Sequence, residues 1–206
     1  AMDTCSMNIE PDGETTPGPF CSKMLLLPHL HTVVCGTGVR SLIYYWSAFL
    51  QQNVVARNVT ELDNIARAKL PELAAECGVS ERHTSTIYHF GYWPEEKRMI
   101  GFAYRSAKGF ASEELIYSLG VKPPDGVDLK QAMATLEAHG LPNGFVEVMK
   151  RQKEYDDGRP MQERVGIGGE VQFLVMSPEA YSLSTCHRFD DYEQHFTAVR
   201  ALTTTP

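Results

Sequence analysis

Between residues 21 and 38 the chain reads CSKMLLLPHLHTVVCGTG: a lysine, an apolar run cut by Pro28, a second run rich in β-branched residues, and a Gly-Thr-Gly. That order predicts strand, turn, strand, glycine corner and then helix. The helix is marked by Val39, Leu42, Ile43, Trp46, Phe49 and Leu50, which recur at intervals of three and four and so share one face, to be buried against a sheet. Thr60 with Asp63 predicts a capping-box-like start to a second helix, with Leu62, Ile65, Ala66, Leu70, Leu73 and Cys77 on its apolar side, Gly78 at its end and Pro71 as a kink or break.

Strand patterning returns over residues 84–92 and 98–105, joined by a turn at Pro94, Glu95 and Glu96, whereas residues 114–119 fit either a strand or a short helix. Residues 122–126 read as a turn. Asp128 reads as the cap of a helix carrying Leu129, Ala132, Met133 and Leu136 and closed by Gly140, and Asn143 as the cap of another running through Val146 and Met149 to Tyr155. Strands follow at 169–176 and 181–189, then a terminal helix from about Asp190 bearing Phe196 and Val199. Residues 8–19, NIEPDGETTPGP, read as an exposed hairpin or loop. Strands and helix pairs in alternating blocks make an α+β protein rather than a βαβ one, and two sheets, each covered by a helix pair, account for the pattern.

Composition narrows this picture. A chain of 206 residues suits one domain, 1–206, able to bury a core without disulfides or metals. Its net charge of −7, with no basic stripe, argues for solubility and against a nucleic-acid surface. Apolar runs such as 25–27 and 171–176 are too short to span a bilayer, and no signal peptide is visible. The five cysteines are widely spaced without a C-x-x-C pair, which points to reduced thiols in a cytoplasmic protein; Cys35 and Cys186, inside apolar runs, read as small core residues. His29 and His31 share a strand face, but no third ligand accompanies them, so no metal is expected. The lone G-x-G at Gly36 and Gly38 lacks the third glycine of a dinucleotide fingerprint, so no cofactor is expected either. Asn58-Val59-Thr60 matches a glycosylation sequon but reads as a helix start.

Asp3 at the end of an apolar-x-Asp stretch, the spacing of Lys23, Pro28 and Gly36, and a helix with Val148, Met149 and Gln152 followed by Ile167-Gly168-Gly169 and the strand VQFLVM occur in a shared order. In that order the chain resembles the N-terminal nucleophile hydrolases of the proteasome β-subunit type. The resemblance implies a four-layer αββα sandwich, here without its first strand as the sequence stands. It also implies roles for three residues: Asp3 and Lys23 as the charged pair supporting an amino-terminal nucleophile, and Gly36 as the backbone N–H that receives the oxyanion. The family's nucleophile lies a strand and turn upstream of the aspartate, and its Gly-Ser-rich turn is replaced here by Lys108-Gly109-Phe110-Ala111-Ser112-Glu113.

The chemistry fits these residue types. An amino-terminal Thr, Ser or Cys uses its own α-amine as base, a lysine held by an aspartate favours the neutral amine, and a preorganised backbone donor at the oxyanion is worth about 3 kcal/mol of barrier. Each residue also has a plain structural reading: Asp3 as a turn residue, Lys23 as a solvated strand edge, Gly36 and Gly38 as hinges of a tight turn. Thr4 and Cys5, as nucleophiles exposed by processing, would break the register with Asp3.

Two functions follow. One is a proteasome-like module acting through self-assembly or partner binding, a homo-oligomer or the binder of a peptide or protein. The other is an amide or peptide hydrolase whose nucleophile precedes the given sequence. A sandwich without its first strand exposes unpaired backbone beside an apolar face, so upstream residues or another chain are expected to cover it. The Trp93-Pro94 turn and the Tyr44, Tyr45 helix face are candidate contacts.

Overall fold

The computed structural model describes residues 1–9, 15–116, 119–122 and 127–204. In chain order the elements are β1 (Met2–Asp3), β2 (Ser6–Ile9), β3 (Thr15–Gly18), β4 (Met24–Leu27), β5 (Thr32–Thr37), α1 (Arg40–Asn53), α2 (Val59–Glu76), β6 (Thr86–Trp93), β7 (Arg98–Arg105) and β8 (Ser112–Glu114). They continue with α3 (Leu129–His139), α4 (Asn143–Asp157), β9 (Glu170–Met176), β10 (Tyr181–Arg188) and α5 (Tyr192–Thr204). The class is α+β. The strands form a five-stranded sheet ordered β4-β5-β6-β7-β8, a three-stranded sheet ordered β1-β9-β10, and the two-stranded ribbon β2-β3. The chain groups into two compact units, one of Lys23–Ser118 with Met176–Ala180, the other of Ala1–Ser22, Leu119–Val175 and Tyr181–Pro206.

The first unit holds the five-stranded antiparallel sheet, with α1 packed on β5 and α2 on β6 and β7. Period-two alternation sends Val34, Ile87, Phe102 and Tyr104 to the side of the helices, where Leu42, Trp46, Leu50, Leu62 and Leu70 are wholly buried among them. The predicted corner is present: after β5, Gly38 takes a positive φ of 97°, and a Cβ there would stand 2.1 Å from the Thr84 carbonyl oxygen. The second helix starts two residues earlier than the Thr60–Asp63 pattern predicts. Asn58, buried, is its N-cap and accepts from the backbone N–H of Thr60 and Glu61, because an amide oxygen at this position reaches both orphan donors of the first turn. Pro71 does not split α2, which runs unbroken from Val59 to Glu76.

In the second unit α3 and α4 pack together and α4 lies on β10. Asp128 caps α3 as predicted, its Oδ1 accepting from Lys130 N–H, and Gly140 closes the helix with a φ of 65°. Asn143 is the first residue of α4 rather than its cap; Pro142 holds the cap position and has no side chain able to accept. Residues 8–19 form the β2-β3 hairpin at their described ends, Ser6 pairing with Gly18 and Asn8 with Thr16; their middle lies outside the described residues, as does most of the predicted turn at 122–126. Of the ambiguous segment at 114–119, Glu114 is the last residue of the three-residue strand β8 and Leu115 N–H donates to the Gly101 carbonyl, while residues 117 and 118 lie outside the described residues.

Candidate functional site

Lys23 and Gly36 are brought together by strand register. Met24 pairs with Cys35 in the β4-β5 hairpin, and Lys23 precedes the one as Gly36 follows the other, so both stand at the same end of the hairpin. Gly36 is also demanded by packing. A Cβ there would lie 2.9 Å from the Thr86 carbonyl oxygen and 3.0 Å from Ile43 Cγ1, so the glycine lets α1 approach the sheet closely.

Asp3 belongs to the other unit. It pairs with Val171 across β1 and β9, and its Oδ2 accepts from Cys5 N–H at 3.1 Å and Gly168 N–H at 3.4 Å. Of the glycine pair in the predicted helix-glycine-strand signature, Gly169 is the one demanded by packing: a Cβ there would fall 2.5 Å from Thr4 Oγ1 and 2.8 Å from the Phe20 ring. Thr4 and Cys5 are buried beside it. Thr4 Oγ1 accepts from Glu170 N–H at 2.8 Å, and Cys5 Sγ lies 3.9 Å from each ring nitrogen of His195, whose Nε2 donates to the Gly18 carbonyl.

Residues 165–167 are held by two side chains that sequence patterning passes over. Asp156, almost wholly buried on the last turn of α4, accepts from the backbone N–H of Val165, Gly166 and Ile167 at 2.8, 2.8 and 3.3 Å. Lys153, one turn earlier, donates to the Ile167 carbonyl and bridges Asp157 and Asp191 at 3.0 and 2.7 Å. Burial alone would lower the Lys153 ammonium, but its bonds to Asp191 and Asp157 outweigh this and hold it above the ordinary lysine value. One local signal was available: a carboxylate at a helix C-terminus opposes the helix dipole, so Asp156 needs donors from elsewhere.

In the first unit the polar side chains beneath the sheet bond one another, although His89 Nδ1 is buried without a hydrogen-bond partner among the described residues. Trp46 Nε1–H donates to His89 Nε2 at 2.7 Å, which fixes the imidazole proton on Nδ1, and burial drives the His89 pKa down to about 3. Tyr104 OH and Ser112 Oγ both donate to Asp63 Oδ1, at 2.8 and 2.5 Å, and burial followed by the Asp63 charge pushes the Tyr104 phenol up. Ser112 is thus committed to the side of α2, and Glu113 pairs with Lys108 and Arg105.

The two thiols expected in the core are both withdrawn from solvent, Cys35 more than Cys186. Cys35 is buried, and desolvation raises its pKa to about 12; Cys186 is half-buried against Val171 and Phe189, and burial raises it too. His29 and His31 do not share a strand face. Both fall at the turn that Pro28 starts between β4 and β5, His31 with a positive φ of 45°, since proline ends the strand there. Among the described residues no group of three or more His, Cys, Asp and Glu side chains is arranged to hold a metal ion, and no helix is long and apolar enough to cross a membrane. No protein-family model matches the chain, and no curated protein matches it.

Proposed function

We propose that the chain is a proteasome-like N-terminal-nucleophile-fold module that acts through self-assembly or partner binding in the cytoplasm. In this reading the chain is one domain of the four-layer αββα sandwich type, with Asp3, Lys23 and Gly36 at the positions of the family's catalytic groups. The order of elements supports it: α1 and α2 lie on the five-stranded sheet, and α4, with α3 packed against it, lies on β10 of the three-stranded sheet. The observation that carries assembly is apolar exposure on those helices: Tyr44 and Tyr45 on α1 and Leu129 and Met133 on α3 all face solvent. The fate of residues 106–113 agrees with it, because Ser112 is bonded to Asp63 and Glu113 to Lys108, leaving neither to support a terminal amine. Sedimentation velocity over a broad concentration range tests this. Reversible association is expected, and a monomer at every concentration rejects it.

A second reading, an amide or peptide hydrolase with its nucleophile upstream, is favoured by one observation: Lys23 and Gly36 flank the same cross-strand pair, where a cation and an oxyanion donor would be needed together. For it, Lys23→Ala in protein purified from its source abolishes cleavage of peptide amides while circular dichroism is unchanged. Unaltered turnover removes Lys23 from the chemistry.

A further inference from the structure

We propose that the outer face of α3 is a self-complementary contact that packs antiparallel against α3 of a second copy of this chain. This names the partner and the surface for the assembly reading above and rests on it. One side of α3 is already used: Ala132 and Thr135 are buried, and Thr135 Oγ1 accepts from Arg151 on α4. The opposite stripe, Lys130, Met133, Ala134, Glu137 and Ala138, is exposed along its whole length. These positions recur at three and four residues, so they form one ridge.

The charges on that ridge are placed symmetrically. Lys130 and Glu137 lie two turns apart, about 10 Å along the axis, equally far on either side of the point between Met133 and Ala134. Neither side chain has an ion-pair partner among the described residues. A twofold axis through that central point, perpendicular to the helix, sets Lys130 of one copy beside Glu137 of the other, and does so twice, as an isologous contact requires. A parallel pairing would instead set lysine on lysine and glutamate on glutamate. The charge pattern therefore selects the antiparallel arrangement. Ala134 and Ala138 carry too little bulk to hold the helices apart, so their axes can approach to about 8–10 Å, and the exposed Met133 side chains fill the centre. An eleven-residue helix offers less surface than the roughly 1,000 Å² of a stable interface, so this contact alone is weak and sensitive to salt.

The test is a charge-reversal cycle read by sedimentation velocity, with circular dichroism to confirm that each variant is folded. Lys130→Glu and Glu137→Lys, made singly, each place like charges together twice and should lower the association constant about tenfold. The double variant restores opposite pairs and should return the constant to within about threefold of the original chain. If the original chain associates and neither single reversal changes its constant, the α3 face is overturned while assembly stands on another surface. If the singles weaken association and the double does not restore it, the antiparallel pairing is overturned. If the original chain is monomeric throughout, both the α3 contact and the assembly reading fall.

Discussion

The two units of this chain each set strands against helices, yet the interior of each is held by different means. Beneath the five-stranded sheet the interior is a continuous apolar cluster from Leu27 to Phe110, with Trp46 and six leucines wholly or almost wholly buried. Around the three-stranded sheet the apolar groups are smaller, Val146, Met149, Ile167, Val171 and Phe189 in one and Val127, Ala132 and Val148 in another. There the backbone leading into β9 is fastened by charges, Asp156 on three amides and Lys153 on a carbonyl. An apolar core is non-directional and tolerates substitutions of similar size, whereas a buried carboxylate holding amides is directional and fails when one group is removed.

That contrast can be broken at its strongest point first. Trp46→Ala removes the largest buried side chain of the five-stranded unit and orphans His89 Nε2, and should cost about 4 kcal/mol, seen as a lowered urea midpoint. Asp156→Ala leaves three amides without their acceptor and should cost about 3 kcal/mol. Hydrogen exchange localises the loss: the amides of residues 165–167 should exchange far faster in that variant, while those of β5 and β6 keep their protection if the units depend on separate contacts.

The buried imidazole sharpens the comparison through pH. The folded pKa of His89, about 3, lies below its ordinary unfolded value of 6.5, so the folded state prefers the neutral ring. Its contribution is complete above about pH 6.5 and is lost as pH falls from there toward 3, roughly 2 kcal/mol by pH 5. Both tryptophans, Trp46 and Trp93, belong to the five-stranded unit, so fluorescence-monitored urea titrations at pH 7 and pH 5 report on it directly. The extra acid sensitivity should disappear in His89→Phe. Smaller again is Asn58→Ala, which deprives two first-turn amides of α2 of their acceptor and should cost about 1 kcal/mol.

Much of the five-stranded unit was legible because its signals are periodic. The i, i+3, i+4 spacing of Leu42, Ile43, Trp46 and Leu50, the strand at residues 98–105 and the break at Pro28 each follow from local geometry, and each appears in place. The positions that were missed depend on long-range or cap-specific contacts. Residues 58–60 start a helix as read, but Asn58 rather than Thr60 is its cap, because capping is decided by which oxygen reaches the free amides, and the two histidines left their strand because Pro28 ended it. Of the candidate site, the nearness of Lys23 to Gly36 was contained in a hairpin's register, which a turn at Pro28 nearly determines. The grip of Asp156 on residues 165–167 spans nine to eleven positions across an irregular loop, and no periodicity announces it.

Association of this chain with itself is the claim on which the proposed function rests, and sedimentation velocity of the intact protein over a broad concentration range, at low and high salt, tests it most directly. The expected result is a weight-average sedimentation coefficient that rises with concentration, and rises less at high salt. A coefficient that stays at the monomer value at every concentration would contradict it.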